Sequence, residues 1–209
     1  MNILVFGATG TIGAQIIEQS LAKGYSVTGF CRNPDALPIT HPSLTLIQGD
    51  VINPGEVQRA VKNHEVVVIA LGSGKKRDGT VRSEGTRNII AAMKANTVKR
   101  LICMTTLGCG DSNSHLTFFW KRIMFGWFLK KVFLDHELQE EYVKNSGLDW
   151  TIIRPGAFTN GAKTGIYRHG FDANERKLQL KISRADVADF ILKQSGSNLY
   201  LYKAPGLSY

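Results

Sequence analysis

Two kinds of apolar run alternate along this chain. Asn2–Phe6 (NILVF), Ser26–Cys31 (SVTGFC), Leu44–Gln48 (LTLIQ), Glu65–Leu71 (EVVVIAL), Arg100–Thr105 and Leu148–Arg154 (LDWTIIR) are short and rich in β-branched residues. Apolar side chains on successive positions mark strands buried on both faces. Between them the apolar residues fall at helical spacing, as at Ile89, Ile90 and Met93 within Ser83–Asn96. Helices are predicted over about Thr11–Lys23, Asn53 to about Asn63, Ser83–Asn96, Asp135–Ser146 and Ser183–Gln194. The punctuation agrees. Gly24 and Gly147 follow helix ends, Asn53-Pro54 places proline at a first helical position, and Ser183 with Asp186 resembles a capping box. Pro155-Gly156 ends the sixth strand, Leu199–Tyr202 reads as a last short strand, and 160–181 is polar and irregular. The alternation predicts an α/β fold: one doubly wound parallel sheet with flanking helices and a small substrate-side lobe at 160–181, in a single domain over 1–209.

The first strand runs into Gly7, Gly10 and Gly13, and a helix follows at once. Strand, glycine turn and helix in that order form a dinucleotide phosphate cradle. Gly7 takes the turn, Gly10 lets a pyrophosphate approach the backbone, and Gly13 lets the helix pack close to the sheet. The helix N-terminus then offers unpaired N–H groups and the positive end of its dipole. The residue after the second strand selects the cofactor. An acid there would hold a ribose 2′-hydroxyl, but this chain has Arg32 and no acid before Asp35. A guanidinium suits a 2′-phosphate, so the expected cofactor is NADP(H). Arg32 equally argues against an epimerase working with tightly held NAD.

Charge and composition narrow the class further. The net charge is +9, with basic clusters at Lys75-Lys76-Arg77, Lys121-Arg122 and Lys130-Lys131 but no nucleic-acid motif, so no nucleic-acid partner is expected. Hydrophobic residues make up 43%, enough for a full core, yet no run is long and apolar enough for a transmembrane segment, and no signal peptide is evident. Cys31, Cys103 and Cys109 show no metal-binding or disulfide spacing, so no metal is expected and a reducing, cytoplasmic setting fits. Leu116–Leu134 is strongly aromatic and carries four interleaved basic residues. Three readings of it stay open: a helix pair lidding the site, a dimer face, or a membrane-surface segment. The chain is expected as a monomer rather than a homodimer.

GATGTIG from Gly7, Gly49-Asp50, SEGTRNIIAAMKA from Ser83, SGLDWTIIRPG from Ser146 and ISRADVADF from Ile182 together resemble an atypical short-chain dehydrogenase/reductase. More narrowly, the layout is similar to the biliverdin reductase B, or NADPH-dependent flavin reductase, group, and the likeness spans nearly the whole chain. The resemblance implies a single Rossmann domain that passes a hydride from NADPH to a planar acceptor, a flavin or a linear tetrapyrrole (bilin). Carried over by position, Gly7, Thr9, Gly10, Thr11 and Ile12 would wrap the pyrophosphate, and Arg32 would meet the 2′-phosphate. Asp50 and Val51 would lie by the adenine, and Leu71 and Gly72 by the nicotinamide ribose. Pro155 completes the cofactor set. The family's hydroxyl near the nicotinamide corresponds to Thr106, and one active-site histidine to His136, which would donate or relay a proton. The family's second histidine is replaced here by Ala157. Phe158 or Trp120 would stack on the acceptor.

The Tyr-x-x-x-Lys pair of the better-known short-chain enzymes is absent: Tyr142 is followed by Ser146 and Tyr167 by Phe171. That favours a reaction whose chief demand is hydride delivery. It is equally compatible with a non-catalytic NADP(H)-binding redox sensor or assembly factor of the NmrA-like kind.

Overall fold

The computed structural model describes residues 1–72, 79–110, 130–171, 175 and 177–209. Its centre is β1 (Asn2–Phe6), hydrogen-bonded on one side to β2 (Ser26–Cys31) and on the other to β4 (Val66–Ile69), both parallel to it. Beyond β2 lies β3 (Leu44–Gln48). Beyond β4 lie β5 (Arg100–Met104) and β6 (Asp149–Pro155). β10 (Gly206–Ser208) adds in parallel to β6, and β8 (Arg168–His169) closes that edge antiparallel. The order β3-β2-β1-β4-β5-β6-β10-β8 reverses direction between β1 and β4, and ligands of open α/β sheets bind at such a reversal. β7 (Ala157–Thr159) and β9 (Lys181–Ser183) form a separate two-stranded ribbon just past β6.

Alternation along β1 divides the core. Ile3 and Val5 face α1 (Thr11–Ala22) and α5 (Arg184–Ser195). Leu4 and Phe6 face α2 (Pro54–Val61), α3 (Val81–Ala95) and α4 (Lys130–Lys144). β4 is buried at every position, as its unbroken valine run requires between two helical layers. Gly13 makes the α1 packing possible: a Cβ there would lie 2.1 Å from the carbonyl oxygen of Gly7. Gly7 itself has φ +87°, and its missing Cβ leaves room for the Ala70 carbonyl at 2.4 Å.

The expected elements form, with four differences. Leu199–Tyr202 is a turn, with Leu199 exposed and Tyr202 at φ +58°. The last strand is instead Gly206–Ser208, fully buried, where Phe171 packs so closely on Gly206 that a Cβ would meet its ring at 2.6 Å. Pro155 is the last residue of β6 rather than its terminator, with its carbonyl accepting Leu107 N–H. Within 160–181, Arg168–His169 form β8. The Ser183/Asp186 box is half made: Ser183 Oγ accepts Asp186 N–H, but the Asp186 carboxylate turns to Thr164, Gly165 and Tyr209. Most of the aromatic stretch, with Trp120, and most of the Lys75–Gly79 loop lie outside the described residues; Lys130–Leu134 belong to α4. No helix among the described residues is long and apolar enough to cross a membrane.

Gly13→Ala is expected to lower stability by about 1–3 kcal/mol, since the clash is with backbone that cannot swing aside. Urea midpoints of the two proteins check it. Equal midpoints would mean that the helix does not rest on the Gly7 turn as described.

Candidate functional site

Two hollows open at the carboxyl ends of β1, β4, β5 and β6, and they share Gly10, Ala70, Leu71 and Gly72. The smaller, about 300 Å³, is lined by Gly7, Thr9, Arg32, Asp50 and Val51. The larger, about 610 Å³, is lined by Thr11, Ile12, Thr106, His136, Pro155, Phe158 and further residues. The glycine turn between them is held by Gly7 N–H and Ala8 N–H to Phe30 O, and by Gly10 N–H to Gly7 O. Gly10 caps α1 without any side chain, so the positive end of that helix dipole carries no built-in anion.

The SEGTRN segment builds the walls. Ser83 is anchored through its N–H (2.9 Å) and hydroxyl (2.6 Å) to the Asp135 carboxylate of α4. Gly85 lies against Val51 and Leu71; a Cβ would come within 2.8 and 3.0 Å of them. Asn88 donates to the carbonyls of Val51 and Ile52. Thr86 Oγ1 accepts from Gln139, whose Oε1 accepts from His136 Nδ1 at 3.2 Å. One helix thus shapes both hollows, and with Gln139 Nε2 given to Thr86 its Oε1 favours the imidazole tautomer that carries the proton on Nδ1.

The two hydroxyls at the end of β5 divide their work. Thr105 Oγ1 donates to Glu140 at 2.8 Å, and Glu140 is clamped by Arg154 through Nε (2.8 Å) and Nη2 (2.6 Å). Burial would raise the Glu140 pKa, but the fork from Arg154 holds it below the ordinary value. Thr106 is half-buried, and its hydroxyl makes only a 3.4 Å bond to Leu107 O, which leaves it available to the larger hollow. His136 is 7% exposed, and its pKa falls to about 4, first from burial and then from the charge of Arg82. It is therefore neutral at physiological pH, contrary to the near-neutral titration expected of a proton relay.

A family model described as NAD(P)H-binding matches residues 7–197. The chain belongs to this NAD(P)H-binding family. It is 28% identical over 206 residues to a UPF0659 protein of Saccharomyces cerevisiae, covering 92% of this chain and 86% of that one. The photosystem II assembly factor Ycf39 of Synechocystis is 24% identical over 166 residues, 77% of this chain but only 46% of that protein. Among solved structures, the anaerobilin reductase ChuY of Escherichia coli O157:H7 superposes with a TM-score of 0.81 at 25% identity, over 99% of this chain and 96% of that one. The fold is a Rossmann-like α/β fold, and the family to which the chain belongs is one that binds NAD(P)H.

The residues present fit an NAD(P)H molecule. The bare glycine turn with an uncapped helix end suits a pyrophosphate, and Arg32, with no described acid paired to it, stands at the rim of the smaller hollow. Of the expected site positions, Gly7, Thr9, Gly10, Thr11, Ile12, Arg32, Asp50, Val51, Leu71, Gly72, Thr106, His136, Pro155 and Phe158 each line one hollow or both, and Trp120 lies outside the described residues. The sequence did not single out Arg82, Gln179 or Lys181, which also line the larger hollow, nor the supporting Asp135, Glu140 and Arg154. Their partners lie far along the chain and leave no local spacing to find. A tyrosine does meet a lysine: Tyr167 bonds Lys193 (3.0 Å) and Asp189 (2.7 Å). It lines neither hollow, and burial together with Asp189 pushes its pKa up to about 12, the reverse of what an acid catalyst requires. The described residues hold no metal-ligand cluster.

The His136 environment has a measurable consequence. Its folded pKa lies below its unfolded one, so the unfolded chain binds the extra proton, and stability present above about pH 6.5 is lost as pH falls toward 4. The share of this one group approaches about 3 kcal/mol. His136→Gln should therefore lose less stability than the wild type between roughly pH 7 and pH 4.5 in urea titrations. Equal losses would show that the imidazole does not stay neutral when folded.

Proposed function

We propose that this protein is an NADPH-dependent reductase that delivers a hydride to a planar acceptor, a linear tetrapyrrole or a flavin, acting as a monomer in the cytoplasm. The observation that carries the reading is the larger hollow. It is continuous with the glycine cradle, mostly apolar, and lined by Thr106 and a neutral histidine, with no tyrosine in its described lining. Such a site positions a flat ring against a cofactor and offers little acid-base help. The likeness to the anaerobilin reductase supports the acceptor class.

The cofactor, when bound, supplies the hydride. Gly7, Thr9, Gly10, Thr11 and Ile12 would hold its pyrophosphate, Arg32 its 2′-phosphate, and Asp50 and Val51 would border its adenine. Leu71, Gly72 and Pro155 keep water from the nicotinamide end. Thr106 Oγ orients the reacting rings by a hydrogen bond. Phe158, 39% exposed at the mouth, offers a face for stacking. His136, uncharged and tied to Gln139, accepts a hydrogen bond through Nε2, and the proton that completes the reduction comes from solvent. The likeness to Ycf39 favours one second reading, a non-catalytic NADP(H) sensor that reports to a protein partner.

Loss of nicotinamide absorbance with biliverdin, FMN, FAD or a quinone separates the two readings. Turnover of a planar acceptor is expected, with kcat lowered about tenfold or more in Thr106→Val and the fold intact. Tight NADPH binding with no turnover of any acceptor would favour the sensor. Arg32→Glu should weaken NADPH about tenfold or more while leaving NADH binding nearly unchanged. An equal loss for both nucleotides would remove Arg32 from the 2′-phosphate.

A further inference from the structure

We propose that Arg82 recognises the acceptor: its guanidinium, in the wall of the larger hollow, receives an anionic oxygen group, carboxylate or phosphate, carried by the planar substrate. The inference rests on the reductase reading and assigns its substrate a charge.

Arg82 is the second residue of α3, and only 8% of it is exposed. A guanidinium carries five N–H donors, and burying one without partners is costly. Here Nε is itself buried and has no hydrogen-bond partner among the described residues. The described ion pair is long, Nη1 to Asp135 Oδ2 at 3.6 Å. Asp135 is largely committed elsewhere: Oδ1 takes the Ser83 N–H and hydroxyl, and Oδ2 takes the Arg82 backbone N–H. The carboxylate serves the first turn of α3 more closely than the guanidinium beside it.

The lining of the hollow points the same way. Its charged members among the described residues are Arg82 and, at the opposite rim on β9, the exposed Lys181; no aspartate or glutamate is among them. A hollow lined by a buried guanidinium with an unpartnered Nε, and by no acid, the Asp135 that pairs its Nη1 standing outside the lining, favours an anion. The cation also acts on its neighbour: after burial, it is the second influence that lowers the His136 pKa. Arg32 is remote from this role, because it lines only the smaller hollow.

The test measures binding, not turnover, with the protein saturated by NADP⁺. Biliverdin is compared with its dimethyl ester, and FMN with riboflavin, by spectroscopic titration of wild type, Arg82→Met and Arg82→Lys. Wild type should hold at least one acid about tenfold tighter than its neutral counterpart. Arg82→Met should erase that preference, leaving the neutral ligands and NADP⁺ within about twofold, and Arg82→Lys should retain part of it. A preference for biliverdin identifies a carboxylate and one for FMN a phosphate. Equal affinity of wild type for acid and neutral forms overturns the proposal without recourse to any variant, as does failure of both acids to bind. So does a matching loss of NADP⁺ affinity in Arg82→Met, which would give the arginine to the cofactor. Charge discrimination without turnover of any acceptor would leave Arg82 in place and remove the reductase reading alone.

Discussion

The carboxylate of Asp135 closes the first turn of a helix other than its own. α3 starts at Val81 with no side-chain cap from Thr80, so its leading N–H groups need an acceptor from elsewhere, and the adjoining α4 supplies it. A buried carboxylate opposite a helix N-terminus is favoured by the dipole as well as by the hydrogen bonds. With that end fixed, the rest of α3 falls into place: Gly85 against Val51 and Leu71, Thr86 under Gln139, and Asn88 on the Val51 loop. The walls of both hollows and the imidazole orientation all depend on this interhelical contact.

A second buried charge pair lies beneath the first. Glu140 and Arg154 are almost wholly enclosed, 2% and 1% exposed, and join α4 to β6 behind Thr105. Pairs of this kind contribute little net stability over an apolar substitute, but the loss of either member strands a charge. Their effect here is geometric. By taking the Thr105 hydroxyl, the pair fixes the end of β5 and leaves the neighbouring Thr106 turned to the cavity.

The sequence revealed whatever its local stereochemistry dictates. Buried strands need unbroken apolar runs, so β1, β4 and β6 were legible. A turn with φ +87° and a helix resting on a carbonyl need Gly7 and Gly13, so the cradle was legible too. What depends on distant partners was not. Leu199–Tyr202 has the composition of a strand but finds no ladder, while Gly206–Ser208 becomes one because β6 and β8 are already beside it. Ser83 and Asp135 are 52 positions apart. The place of His136 followed from family likeness, yet its charge state did not, because enclosure and Arg82 are tertiary facts. Arg82 was not singled out at all, because its burial is a tertiary fact too.

The two hollows meet over a seam, Gly10 and Ala70 to Gly72, whose residues line both. A ligand that reaches across is held at two separate points joined by a short linker. Each end then sees the other's pocket at a high effective concentration, and the grip of the whole exceeds what either half achieves alone. A fragment that fills one hollow forfeits this advantage entirely. A seam of this kind would favour a ligand long enough to reach both hollows over one that fills either alone.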